Sequence, residues 1–118
     1  MSRQARYKIF DAALCSGATA TVSTGIDISR ASGNFSFSGA LSSSVASASV
    51  TYEVSNDGTN YDVTTTDPTR TVISLLKGVE LVKGFNLPLA QKVRIRCTGL
   101  TGNGTNNTVT GELSFTED

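Results

Sequence analysis

The chain is 118 residues long, with ten Lys and Arg against ten Asp and Glu, no His and no Trp, and with Ser, Thr, Gly and Asn supplying 49 of its residues. That is one domain's worth of chain; zero net charge withholds the cationic surplus on which phosphate affinity rests, and the missing imidazole removes Ser-His-Asp and Cys-His relays as well as His-ligated zinc. Apolar runs are short and interrupted, far from the roughly 20 residues that a membrane helix needs, so the expectation is a non-enzymatic soluble domain with no cofactor and with neither nucleic acid nor membrane as partner.

The chain opens Met1-Ser2-Arg3-Gln4-Ala5-Arg6-Tyr7-Lys8-Ile9-Phe10, basic but with no apolar stretch ahead of a small-residue cleavage site, which predicts synthesis in a cytoplasm rather than export. Residues 1–17 are expected to hold an arm and a first strand region, with Tyr7 to Phe10 a weak strand candidate lacking clean parity. The rest, residues 18–118, reads as one sandwich domain. Val22, Ile26 and Ile28 share one parity, and Phe35 and Phe37 alternate with Asn34, Ser36 and Ser38, the pattern of half-buried strands. The Ser-rich stretch 42–49 is too short and too central to divide two domains. Val50, Tyr52 and Val54 then alternate with Thr51, Glu53 and Ser55. Ser55-Asn56-Asp57-Gly58-Thr59-Asn60 follows as a tight turn, with Gly58 in the left-handed position.

Thr71 to Leu76 and Val79 to Phe85 are weaker strand candidates, and Pro68 and Pro88 fall at junctions, where a missing N–H is tolerated. Val93, Ile95 and Cys97 alternate with Lys92, Arg94 and Arg96. After a Gly- and Asn-rich loop, Val109, Leu113 and Phe115 share a face with Gly111. About eight short strands spaced by roughly 8–12 residues predict an all-β fold: a single antiparallel β-sandwich, jelly-roll-like. Val50, Tyr52, Val54, Val93, Ile95, Cys97, Phe35 and Phe37 should point inward.

Few residues suggest chemistry. Asn56, Asp57, Asn60 and Asp62 form the one oxygen-rich group, but without the spacing of a calcium loop, and Asn and Asp are what turns require; no metal site is expected. Gly99-x-x-Gly102-x-Gly104 lacks the Lys-Ser/Thr and the helix of a phosphate loop. Lys92, Arg94 and Arg96 put three cations on one strand face, about 6.5–7 Å apart. They serve as a solvated outer face, as partners for carboxylates of a neighbouring strand, or as a docking face for an acidic partner. Arg3 and Arg6 offer a second basic element on the N-terminal segment. Tyr7, Phe10, Tyr61 and Phe85 fall outside the core parity, and Tyr61 is the best placed ring for a ligand such as a sugar. Cys15 and Cys97, far apart in sequence, are expected as free thiols in a reducing compartment.

Several of these runs, in order, resemble the small β-sandwich structural proteins of tailed-bacteriophage virions: Ile26-Asp27-Ile28-Ser29, Gly33-Asn34-Phe35-Ser36-Phe37, the stretch Val50 to Tyr61, Leu89 to Thr98, and Thr108 to Leu113. The likeness spans roughly residues 18 to 116. It implies a virion component without catalytic residues, made in the bacterial host cytoplasm, homo-oligomeric, and bound to other virion proteins of capsid, neck or tail. A capsid decoration or auxiliary protein is the expected role, with Lys92, Arg94, Arg96, Arg3 and Arg6 as partner contacts. The alternative is a carbohydrate-binding or adhesion sandwich using Tyr61.

Overall fold

The computed structural model describes residues 3–15, 20–42, 47–61, 71–76, 80–87, 90–99 and 107–117. Alternation governs them, and none is helical. Nine strands follow in order: β1 (Arg3–Leu14), β2 (Thr21–Val22), β3 (Ile26–Asp27), β4 (Ala31–Leu41), β5 (Ser47–Ser55), β6 (Thr71–Leu76), β7 (Leu81–Phe85), β8 (Lys92–Gly99) and β9 (Thr108–Glu117). The first sheet has the order β1-β9-β4-β7, and the second β2-β8-β5-β6, with β3 also on β8.

β2 and β3 are two ends of one interrupted strand. Between them the Ser23 N–H donates to the Ile95 carbonyl at 2.9 Å, while the Ser23 hydroxyl accepts the Ile95 N–H at 2.9 Å, so a side chain stands in for the backbone where the ladder breaks. Counted as one strand, β2/β3 makes eight. First then pairs with eighth (β1–β9), second with seventh (β2/β3–β8), third with sixth (β4–β7) and fourth with fifth (β5–β6), all antiparallel. This is one long hairpin folded at the β5–β6 connection. Rolling it up brings β9 onto β4 and β8 onto β5, which gives the two four-membered layers of a jelly roll.

Of the residues expected inside, Phe35, Phe37, Val50, Val93, Ile95 and Cys97 are buried, whereas Tyr52 and Val54 are half-buried against the core. Phe37 lies over the glycine pair Gly39 and Gly111, which face each other across β4 and β9. A Cβ on either glycine would stand 2.8–2.9 Å from the Phe37 ring carbons, so the ring occupies the space that two side chains would need. A row of rings crosses the first sheet and reaches the second: Tyr52, Phe85, Phe35, Phe115 and Tyr7, with successive centroids 5.9, 6.0, 5.0 and 5.7 Å apart. Offset ring pairs at such spacings each add about 0.5–1.5 kcal/mol beyond area burial.

The unclean parity of β1 has a structural cause. Register shifts fall between Lys8 and Phe10 and between Phe10 and Ala13, and each extra residue turns the following side chains over. Phe10, left outside the core parity as a possible surface ring, is buried opposite Gly111. Ala12 takes the left-handed conformation at φ 51° and donates its N–H to Thr110 Oγ1 at 3.2 Å. Arg3–Leu14 is thus an edge strand of the first sheet.

Candidate interaction site on the second sheet

The cations of β8 point to the outer side of the second sheet. Register places Glu53 of β5 directly opposite Arg94, and Thr51 opposite Arg96. Glu53 lies between the two guanidinium groups: Arg94 Nε donates to Oε1 at 2.6 Å, and Arg96 Nε reaches diagonally to Oε2 at 2.8 Å. The Glu53 side chain is 3% exposed, against 26% for Arg94 and 22% for Arg96. A carboxylate on the polar parity of its strand is therefore as deeply covered as the core. Alternation identifies the face a side chain occupies, but not what lies over that face, and Glu53 was beyond its reach.

The turn after β5 lies beside this cluster. Ser55 to Asn60 closes around Asp57, whose Oδ1 accepts the N–H groups of Thr59 and Asn60 at 2.8 and 2.7 Å and the Ser55 hydroxyl at 2.9 Å, while Oδ2 accepts from Asn60 Nδ2 at 2.8 Å. These donors, the Asn60 N–H foremost, hold the Asp57 carboxyl well below the usual carboxylate range. Gly58 has φ 79°, the left-handed position expected of it, and gives its N–H to Ser55 Oγ at 2.9 Å. Of the expected oxygen cluster, Asn56, Asp57 and Asn60 form this turn; Asp62 lies outside the described residues, as do Pro68, Pro88, Gly102 and Gly104.

The turn delivers Tyr61 onto the arginines. Arg94 Cζ stands 4.1 Å from the Tyr61 ring centroid, a cation–π contact, and the Tyr61 hydroxyl packs against Gly25, where a Cβ would collide with it. Lys92 faces Asp27 in the β3–β8 register. The Asp27 carboxyl is held below its ordinary range, chiefly by the Ser29 N–H at 2.9 Å and in smaller part by Lys92. Lys92, Arg94 and Arg96 thus stand over Asp27 and Glu53, with the Asp57 carboxylate in the turn beside them.

The N-terminal cations are matched in the same way. Arg3 pairs with Glu117 at 2.9 Å, Arg6 with Glu112 at 3.1 Å and Lys8 with Asp11 at 3.5 Å. Arg3 and Arg6 lie on the first sheet's edge, so the structure does not bring them together with Arg94 and Arg96 on the second. Of the rings left for a ligand, Tyr61 carries Arg94 on its face, Phe85 and Tyr7 belong to the ring row, and only Tyr7 keeps as much as 38% exposure.

No protein-family model and no curated protein matches the sequence. Solved structures do share its fold. A chain of infectious bursal disease virus, Gx strain, superposes with a TM-score of 0.59 at 13% identity, and the VP2 subviral particle of the same virus with 0.58 at 16%; each covers 98% of this chain but 32% of its own. The present chain therefore spans about a third of the length of those viral chains. The SPBc2 prophage-derived protein YomS superposes with a TM-score of 0.57 at 12% identity, covering 99% of this chain and 96% of its own. At these identities the likeness is one of fold: the jelly roll derived above occurs as one part of a virus-particle protein and as nearly the whole of a prophage-derived one.

Proposed function

We propose that this chain is a non-enzymatic structural protein of a bacteriophage virion, a capsid decoration or auxiliary protein that works by assembling, as a homo-oligomer, onto other virion proteins. The observation that carries the reading is the end-to-end match with prophage-derived YomS, in a fold that also forms a third of a virus-particle chain. The surface agrees with it. The cations of the second sheet are fixed by Glu53 and Tyr61 rather than loose, so Arg94 and Arg96 present guanidinium edges in one geometry. Guanidinium edges held in one geometry suit register with an acidic partner better than non-specific attraction.

The carbohydrate-binding alternative asks for exposed rings that can lie flat on a sugar. All eight aromatic residues are among the described ones, and Tyr61, its best candidate, has a face taken by Arg94. Antibody labelling of particles purified from the lysate in which the chain is made tests the proposal. Regular labelling of head or tail is expected. Particles without label, with the chain recovered in the soluble fraction, would overturn it; a glycan that competes the chain off its target would put the carbohydrate reading in its place.

A further inference from the structure

Cys15 and Cys97 lie far apart in the chain and on opposite sheets, yet their sulfurs meet in the core at 3.5 Å. Both residues are fully buried, and both are thiols. Cys15 follows the end of β1, and its position is set by neighbours: its N–H donates to the Asn107 carbonyl at 2.9 Å, and its carbonyl accepts from Asn107 Nδ2 at 3.1 Å. Cys97 sits in the second half of β8, opposite Val50 on one side and Thr21 on the other. The Cys15 sulfur also lies 3.5 Å from the Cys97 carbonyl oxygen, so the approach involves backbone as well as side chain.

We infer that this pair is a redox-controlled cross-link site: in the presence of a low-molecular-weight disulfide, Cys15 and Cys97 form a disulfide that ties the edge strand of the first sheet to the central strand of the second. The Cys15 thiol is the one more easily ionised, because Cys97 donates to it, and the same contact together with burial pushes the Cys97 thiol up. The Cys15 thiolate attacks one sulfur of the oxidant RSSR, forming Cys15–S–S–R and releasing RS⁻. Cys97 then gives up its proton and attacks the Cys15 sulfur, expelling the second RS⁻. The two released thiolates take up the two protons, so two protein thiols are oxidised while one RSSR is reduced to two RSH. Burial makes the reaction wait on local opening at the end of β1, an edge strand. The bond then closes a loop of some 80 residues and removes entropy from the unfolded chain. The inference does not depend on the virion reading.

The test is incubation of the full, reduced chain with oxidised glutathione, followed by mass spectrometry, a non-reducing digest and a thermal melt. Expected are the loss of two hydrogen atoms with no glutathione retained, a Cys15–Cys97 linked peptide, and a melting temperature raised by roughly 10–20 °C and returned by reductant. Persistence of both thiols, stable glutathione adducts, or a linked chain that melts no higher than the reduced one would each overturn it. Cys15→Ala is the control: it should show no rise, and an equal rise in that variant would assign the effect elsewhere and end the proposal.

Discussion

The two sheets carry the same kind of charge pair at opposite depths. On the first, Arg3 and Arg6 of β1 reach Glu117 and Glu112 of β9 while remaining 80% and 64% exposed; on the second, Arg94 and Arg96 enclose a Glu53 that water barely touches. Both sets arise from the same rule, opposite charges facing or diagonal across an antiparallel ladder. What separates them is cover. The carboxylates of the β1–β9 pairs keep 16% and 37% exposure against 3% for Glu53, and on the second sheet the Asp57 turn brings Tyr61 onto Arg94 while the ladder break at Ser23 to Gly25 leaves the Tyr61 hydroxyl against Gly25. An exposed pair is weakened by water and by the entropy of two long side chains; a covered one is decisive, because losing either partner leaves a desolvated charge behind.

The largest effect should come from that covered carboxylate. Glu53→Ala leaves Arg94 and Arg96 side by side without their shared carboxylate and is expected to cost about 3–5 kcal/mol of folding stability in urea unfolding. A loss within about 1 kcal/mol would mean that the second-sheet cluster is no better than a surface pair, and the contrast between the sheets would collapse. It follows that charge reversal at Arg94 or Arg96 tests the fold as much as any partner contact, since a new carboxylate would face Glu53.

Next comes the inner side of the first sheet, which is held by packing. Gly111→Ala puts a Cβ 2.8 Å from the Phe37 ring and 3.2 Å from the Ser38 carbonyl oxygen. Phe37 is fully buried and the oxygen belongs to the paired strand, so neither yields easily. Overpacking of this kind costs about 1–3 kcal/mol, to be read from the midpoint of thermal or urea unfolding.

The turn that leads into Tyr61 should announce itself through pH. Asp57 has its folded pKa depressed by the N–H groups it accepts, so its contribution is present above the ordinary aspartate range and is lost as pH falls from about 4 toward the folded value. In melts from pH 6 to pH 2, Asp57→Asn should be less stable than the parent at neutral pH, and the gap should narrow on acidification. A gap that stays constant would show that the charge is irrelevant to the turn.

Much of this architecture could be read from residue order. Val93, Ile95 and Cys97, or Phe35 and Phe37, reveal their strands because a covered face alternates with an uncovered one, and Asp57-Gly58 reveals its turn because Gly58 alone there takes a left-handed φ without strain. β1 was obscure because two bulges shift its parity, sending Phe10 inward. Glu53 was obscure for a different reason: it is enclosed by Arg94 and Arg96, with Tyr61 on Arg94, and these contacts come from cross-strand register and a turn rather than from the strand's own pattern. Cys15 and Cys97 gave no sign of contact, since the roll that joins first strand to eighth and second to seventh leaves no local signature.

A smaller effect, of opposite sign, is expected at the second bulge of β1. Ala12 in the left-handed region bears about 1–2 kcal/mol of strain, and Ala12→Gly removes it while giving the unfolded chain about 0.5–1 kcal/mol of extra entropy. The balance is a gain of about 0.5 kcal/mol. A loss greater than about 1 kcal/mol would mean that the Ala12 methyl contributes packing that outweighs its backbone strain.

The smallest effect should be the removal of an exposed pair, and it completes the contrast. Arg6 reaches Glu112 diagonally, with Lys8 directly opposite the same carboxylate, so Arg6→Ala leaves Glu112 beside another cation and open to water. Stability should change by under about 0.5 kcal/mol at physiological salt, and by still less as screening rises. Measured beside Arg94→Ala under identical conditions, each substitution removes a guanidinium from an antiparallel ladder, Arg6 diagonal to its carboxylate and Arg94 directly opposite. Arg94→Ala should lose several times as much, because it uncovers Glu53 and takes the cation from beneath Tyr61. Equal losses would show that depth is not what distinguishes the two sheets, and would restore Arg3 and Arg6 as structural elements of the same rank as the cluster on β8.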